Sequence, residues 1–153
     1  MYKLIEITPI NKLLSKDLKA IYSASEIAEK SIFDVSKRLG ALLRCKGNNY
    51  VGENQHREKY GNVFHRSFHA EMNALFKSIK NNKKTRKMTI NKVDKNMTPM
   101  TIYVVRLGAK SGIYGNAKPC ENCQKFLHFN NVRKIKYTDI IDGINVLCTL
   151  KIV

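Results

Sequence analysis

Two short motifs in this chain hold residue types that bind metals and move protons. His69-Ala70-Glu71 is the first, and Pro119-Cys120-Glu121-Asn122-Cys123 is the second. A catalytic zinc takes three protein ligands and keeps a fourth position open for water. His69 offers a nitrogen, and Cys120 and Cys123 offer two thiolates. Three residues apart on a helix, the two cysteines project onto one face, so a single ion reaches both. A helix start also favours thiolate, because the positive end of the helix dipole faces the sulfurs. Glu71 points off the ligand's face and is left to accept a proton from the water. Zinc lowers the pKa of such a water from about 15.7 to about 7 in favourable sites. The chemistry on offer is hydrolytic: attack on an electron-poor carbon, with Glu71 passing the proton onward.

Either motif alone is weak. A lone Cys-x-x-Cys on a helix is often redox-active or half of a structural zinc site, and a lone His-x-Glu is usually a solvated helix start. Together, in this order and each at a strand-to-helix junction, they point to one metal site. The competing reading is a closed structural zinc site with Cys45 or Cys148 as fourth ligand. Both lie in apolar, strand-like runs and read as buried small hydrophobes.

Ordered elements must bring the motifs together. Leu13 to Ser31 reads as an amphipathic helix, with Leu14, Leu18, Ile21, Tyr22 and Ile27 at helical spacing. Leu39–Cys45 and Tyr50–Glu53 read as strands joined by a turn at Lys46-Gly47-Asn48-Asn49. Asn54 to Phe68 reads as a loop. His69 to Ile79 reads as a helix with Met72, Leu75, Phe76 and Ile79 on one face. Lys80 to Met100 is a basic, Asn-rich insertion. Thr101–Leu107 is a buried strand, Gly108–Lys118 a loop, and Pro119 opens a helix running to about Asn131. Lys134–Ile140 and Ile144–Val153 are strands separated by Asp142-Gly143. The order α-β-β-α-β-α-β-β predicts one three-layer α/β/α domain over residues 1–153 with a mixed five-stranded sheet. Two residues leave no room for a crossover helix, so the last two strands must be antiparallel.

The 153 residues suffice for a single core, and the 43% hydrophobic fraction is ordinary for a globular chain. No apolar run approaches the roughly 18 residues of a membrane span. The start, Met1 to Glu6, lacks a signal-peptide core, so a cytoplasmic, membrane-free protein is expected. In that setting Cys120 and Cys123 suit metal better than a disulfide. With 28 basic against 12 acidic residues, the formal charge is +16. That suits a polyanionic partner, nucleic acid or a phosphorylated substrate; Lys and Asn abundance from an A/T-rich coding sequence would also produce it. The loops expected to border the metal carry Arg57, Lys59, Arg66, Arg106, Lys110 and Lys118 against Glu58. Such a basic rim fits a phosphate, whether a nucleotide's or a polynucleotide backbone's. His56, Tyr60, Phe64, His65, Phe68, Ile113 and Tyr114 interleave with these charges, where they stack on a base or simply pack the loops. The insertion leaves the far end of the first motif's helix, so its charges are expected on the side away from the metal.

At these residues the chain resembles the zinc-dependent cytidine deaminase superfamily, whose signature is H-x-E followed by P-C-x-x-C. Ser31-Ile32-Phe33, Leu39–Leu43, Gly52-Glu53-Asn54 and His69–Leu75 extend the likeness over about residues 15 to 150. The resemblance implies zinc held by His69, Cys120 and Cys123, with Glu71 as proton carrier. It implies hydrolytic removal of the amine from a cytosine in cytidine, deoxycytidine or a monophosphate, giving uracil and ammonia. Asn54 would contact sugar or base; it also reads as a turn residue closing the strand. Backbone around Ala70 and Pro119 would orient the base edge, and Arg57, Arg66 and Lys118 would meet the rest of the substrate. Two departures stand out. The insertion lengthens the gap from His69 to Cys120. The closing hairpin is the ending of free cytidine deaminases, whereas deoxycytidylate, tRNA adenosine and vertebrate polynucleotide-editing deaminases place a helix there. Some bacterial DNA-deaminating toxins resemble the hairpin group too. A cytidine or adenosine within single- or double-stranded DNA or tRNA, held by the basic rim, is thus the alternative substrate. Family members often complete one another's pockets, so a homo-oligomer is expected.

Overall fold

The longest apolar runs of the chain form the middle of its sheet, and the periodic segments between them form the helices. The computed structural model describes residues 1–30, 38–56, 67–81, 99–108 and 113–153. β1 (Tyr2–Pro9) leads through a 3-10 turn (Ile10–Lys12) into α1 (Ser15–Glu29). The hairpin of β2 (Leu39–Cys45) and β3 (Asn48–Glu53) follows, then a minor pair, β4 (Gln55–His56) and β5 (Ser67–Phe68), and then α2 (Ala70–Asn81). Next come β6 (Met100–Leu107), the short β7 (Tyr114–Gly115) and α3 (Glu121–Phe129). The hairpin of β8 (Val132–Ile141) and β9 (Ile144–Ile152) closes the order.

The strand order is β1-β9-β8-β6-β2-β3, with β7 paired to the end of β6. β6 and β8 run parallel across the α3 crossover, and β2 is antiparallel to both β3 and β6. β3, β6 and β8 therefore point the same way and end at one edge of the sheet. Alternation divides the faces. Leu42, Tyr103, Val105 and Leu147 pack with Ala20, Ile21 and Ala24 of α1. Ala41, Leu43, Ile102, Val104 and Ile135 pack with Ala74 and Leu75 of α2 and Leu127 of α3. Covered on both faces, β6 reads as the continuous run Ile102-Tyr103-Val104-Val105.

The five expected strands stand in the order β9-β8-β6-β2-β3, and the last two pair antiparallel. Asp142 and Gly143 both take positive φ (51° and 77°), the twist that a two-residue hairpin requires. The sheet is wider than five strands, however: β1 adds an outer antiparallel strand on β9, and β7 extends β6. β1 shows no alternation because its register shifts between Leu4 and Glu6 and most of its residues are exposed. Its anchor is Tyr2, whose hydroxyl donates to the Val132 carbonyl and whose ring meets His128 edge-on. α3 also starts two residues later than Pro119. Cys120, with extended backbone, takes the cap position, and the proline precedes it. Of the expected insertion, residues 82–98 lie outside the described residues, as do Ser31, Ile32 and Phe33.

Two close contacts fix the helices to the sheet. Gly52 of β3 lies against the first turns of α2: a Cβ there would stand 2.4 Å from the Ala74 amide nitrogen and 2.7 Å from the Ala70 carbonyl oxygen. Beneath α1, Asp17 accepts hydrogen bonds from the Tyr103 hydroxyl (2.5 Å) and Lys136 Nζ (3.2 Å). Burial works against the Asp17 charge, but Tyr103 and Lys136 outweigh it and hold the carboxyl below its usual range.

Gly52→Ala must push α2 off the sheet and is expected to lower stability by about 1–3 kcal/mol, read by urea denaturation. Asp17→Asn leaves Lys136 without its counter-charge, and a loss of about 3 kcal/mol is expected at neutral pH. A lowered folded pKa stabilises above the unfolded value, and that contribution disappears as pH falls through the folded one. The gap between wild type and Asp17→Asn should therefore narrow below about pH 4 in denaturation curves taken across pH.

Candidate active site

Both motifs sit at the sheet edge where β3 and β6 end, each at a helix cap. His69 precedes α2, and its carbonyl accepts the Asn73 N–H at 3.1 Å. Cys120 precedes α3; its carbonyl accepts the Gln124 N–H at 2.9 Å, and its sulfur accepts the Cys123 N–H at 3.5 Å. Asn73 Nδ2 donates to the Glu53 carbonyl (3.1 Å) and ties the start of α2 to the end of β3. Gln124 Nε2 donates to the Pro119 carbonyl (2.9 Å) and does the same for the approach to α3.

The two caps converge. His69 Nδ1 lies 3.0 Å from Cys123 Sγ and 3.7 Å from Cys120 Sγ, and the three ligand atoms lie within 4.8 Å of one another. Zinc bonds of about 2.0–2.1 Å to nitrogen and about 2.3 Å to sulfur, set tetrahedrally, separate ligand atoms by about 3.5–3.8 Å. Small side-chain shifts would seat the ion. Among the described residues, no fourth His, Cys, Asp or Glu joins this group. Cys45 and Cys148 are buried in the core and unpaired, so a closed site built on either is not what the fold provides.

Glu71 is 3% exposed, with Oε1 4.0 Å from His69 Nδ1. Its other oxygen, Oε2, is buried without a hydrogen-bond partner. Burial pushes the carboxyl up, while its own backbone amide and His69 pull less strongly the other way. Burial, the Glu71 charge and Cys120 together push the Cys123 thiol up. The buried Glu71 carboxylate and Cys123 sulfur, with the exposed Cys120 sulfur at their side, favour a bound cation to offset their charge. The donor set fits zinc, and the orphaned Oε2 fits a hydrogen-bonding group held beside it.

A cavity of about 350 Å³ opens over these groups, large enough for a small ligand. Asn54, Ala70, Arg106 and Lys118 line it alongside His69, Glu71 and Cys120. Asn54 also closes the sheet end: its Oδ1 accepts the Leu39 N–H at 3.0 Å. Pro119 is not part of the lining, being buried with its carbonyl given to Gln124. Tyr114 turns to the other face, where its hydroxyl accepts from Ser25 of α1 at 3.4 Å. Ile113 is exposed outside the lining. Arg57, Glu58, Lys59, Tyr60, Phe64, His65, Arg66 and Lys110 lie outside the described residues, and His56 and Phe68 are described only in backbone. Asn116 and Ala117, from the loop expected to border the metal, also line the cavity, as does Leu39, which no motif singles out. Leu39 arrives there by pairing with Arg106 across β2 and β6, which register alone determines.

Residues 14–139 match the family model described as the cytidine and deoxycytidylate deaminase zinc-binding region. Comparison with curated proteins gives no significant match. Among solved structures, the chain is similar to the dCMP deaminase from cyanophage S-TIM5 in apo form, with 18% identity and a TM-score of 0.55 over 86% of this chain and 89% of that one. It is also similar to cytidine deaminase from Burkholderia pseudomallei, with 16% identity and a TM-score of 0.51 over 88% of this chain and 91% of that one. At such identities the likeness is one of fold.

Metal analysis of the purified protein is expected to find about one zinc per chain. Structural zinc sites bind with about 10–16 kcal/mol overall, so loss of one ligand in Cys120→Ser should cost on the order of 3 kcal/mol, about a hundredfold in affinity. A competition titration with a coloured chelator reads that change.

Proposed function

The chain belongs to the cytidine and deoxycytidylate deaminase family whose zinc-binding region it matches over residues 14–139, and we propose that it deaminates cytosine in cytidine, deoxycytidine or one of their monophosphates. The observation that carries this reading is Glu71: a buried carboxylate with an unpartnered oxygen, 4.0 Å from a metal-ligand nitrogen, on the wall of an open cavity. A purely structural zinc site has no use for such a group.

Zinc, when held by His69 Nδ1 and the sulfurs of Cys120 and Cys123, supplies a Lewis acid that makes water nucleophilic near neutral pH. The protein's own part is proton transfer and orientation. Glu71 takes a proton from the attacking water and delivers it to the ring nitrogen beside the reacting carbon. It then carries a second proton to the departing amine, so that water and cytosine become uracil and ammonia. Its burial raises the carboxyl toward the pH at which it both accepts and gives a proton. Backbone at Ala70, which lines the cavity, would orient the base edge; Pro119 lies outside the lining with its carbonyl held by Gln124. Asn54 and Lys118 would contact the rest of the substrate, with Arg57 and Arg66 as further candidates beyond the described residues.

The reading extends to a homo-oligomer in the cytoplasm, where the unpaired state of all four cysteines would be maintained. The +16 charge favours a polynucleotide as the alternative substrate. No helix among the described residues is long and apolar enough to cross a membrane.

Zinc-loaded wild type and Glu71→Ala, incubated with cytidine, deoxycytidine, deoxycytidylate, single-stranded DNA and tRNA, test the proposal by mass spectrometry. Wild type should add about one dalton to a free substrate, and Glu71→Ala should retain zinc while losing about 10²–10⁴-fold or more in rate. Conversion only within polymers would move the assignment to an editing enzyme. Equal rates for the two proteins would remove Glu71 from the mechanism.

A further inference from the structure

β6 carries its alternation one step beyond the core. Ile102 and Val104 lie in the layer of α2 and α3 and are fully buried. Arg106 is the next residue on that face, where the row leaves the core and meets the cavity. A third aliphatic side chain would continue the pattern; a half-buried guanidinium stands there instead.

The surroundings are shaped to that side chain. Gly115 of β7 is the register partner of Arg106. A Cβ on Gly115 would stand 3.3 Å from Arg106 Cδ and 3.4 Å from Cγ, so the arm lies along the glycine. The backbone is held too. The Arg106 N–H donates to Thr138 Oγ1 at 3.2 Å, the Thr138 hydroxyl donates to the Gly115 carbonyl at 3.0 Å, and the Ala117 N–H donates to the Thr138 carbonyl at 2.9 Å. Thr138 is fully buried where β7 takes over from β8 beside β6. One braced wall thus presents Arg106 and, next to Ala117, Lys118. Among the described lining residues the acid is Glu71, which belongs to the reacting centre.

We infer that Arg106 is the specificity-determining residue of this pocket and takes a phosphate on the sugar of the cytosine substrate, making that substrate a nucleotide rather than a nucleoside. The planar guanidinium matches phosphate oxygens in paired hydrogen bonds, and a fixed arm keeps that geometry. The inference rests on the deaminase reading above.

The test compares kcat/KM for deoxycytidylate, for deoxycytidine and for a cytosine-containing oligonucleotide without a terminal phosphate. Wild type should favour a phosphorylated substrate over deoxycytidine by about 10- to 100-fold, the range a charge-assisted hydrogen-bonded pair supplies. Arg106→Gln should bring that ratio close to one, and Arg106→Lys should restore part of it. Gly115→Ala, which keeps Arg106 but lifts its arm, should lower the ratio as well. A ratio does not depend on how much of a variant folds. Preference for deoxycytidylate identifies a monoester and preference for the oligonucleotide a diester; either supports the inference. Equal or better turnover of deoxycytidine by wild type, or an unchanged ratio in Arg106→Gln, overturns it and leaves the deaminase reading standing. If no cytosine is converted at all, that reading fails. Calorimetric binding of deoxycytidylate against deoxycytidine to Glu71→Ala then decides the role of Arg106 without turnover: tighter binding of the nucleotide that Arg106→Gln abolishes supports it, and equal or absent binding overturns it.

Discussion

Two sulfurs, an imidazole and a buried carboxylate occupy a few ångströms at one edge of this sheet, and that crowding governs much of the rest. Burial pushes both the Cys123 thiol and the Glu71 carboxyl up, and at Cys123 the Glu71 charge adds to it. A cation held by His69, Cys120 and Cys123 would offset that cost, and Oε2 of Glu71 is buried without a hydrogen-bond partner.

The fold's part is to bring two helix caps to one point. That requires the strands preceding α2 and α3 to end at the same edge, which the shared direction of β3 and β6 ensures. It also requires the helices to be set at close tolerance. Asn73 reaches back to the Glu53 carbonyl, and Gly52 lets α2 approach nearer than any side chain would permit. On the opposite face, Asp17, Tyr103 and Lys136 lock α1 to β6 and β8. The sheet is thus fixed from both faces, and the chain leaving the end of β6 is the one that carries the two cysteines.

The ligand set and Glu71 were legible because residue type and spacing constrain them tightly: few arrangements explain a His-x-Glu and a Cys-x-x-Cys at two helix starts. The central strands were legible because burial on both faces demands unbroken apolar runs such as Ile102–Val105. β1 was not, since a bulged and mostly exposed edge has no pattern to read. The cap of α3 was displaced by two residues because Pro119, suited to a first helical turn, is equally at home just before the cap. The pocket wall was the least legible part. Leu39, Asn116 and Ala117 reach it through strand register and through the Thr138 clamp, relations between residues far apart in the chain. Net charge likewise said nothing about position: of the expected basic rim, Arg106 and Lys118 are the members seen at the cavity.

Zinc-edge X-ray absorption on the metal-loaded protein distinguishes an open metal from a closed one, because it counts ligands by type. Two sulfurs at about 2.3 Å and two lighter atoms at about 2.0–2.1 Å are expected, one of the lighter atoms from His69 and one from solvent. A shell of three or four sulfurs would mean that Cys45 or Cys148 closes the site, and would contradict an open, catalytic metal beside Glu71.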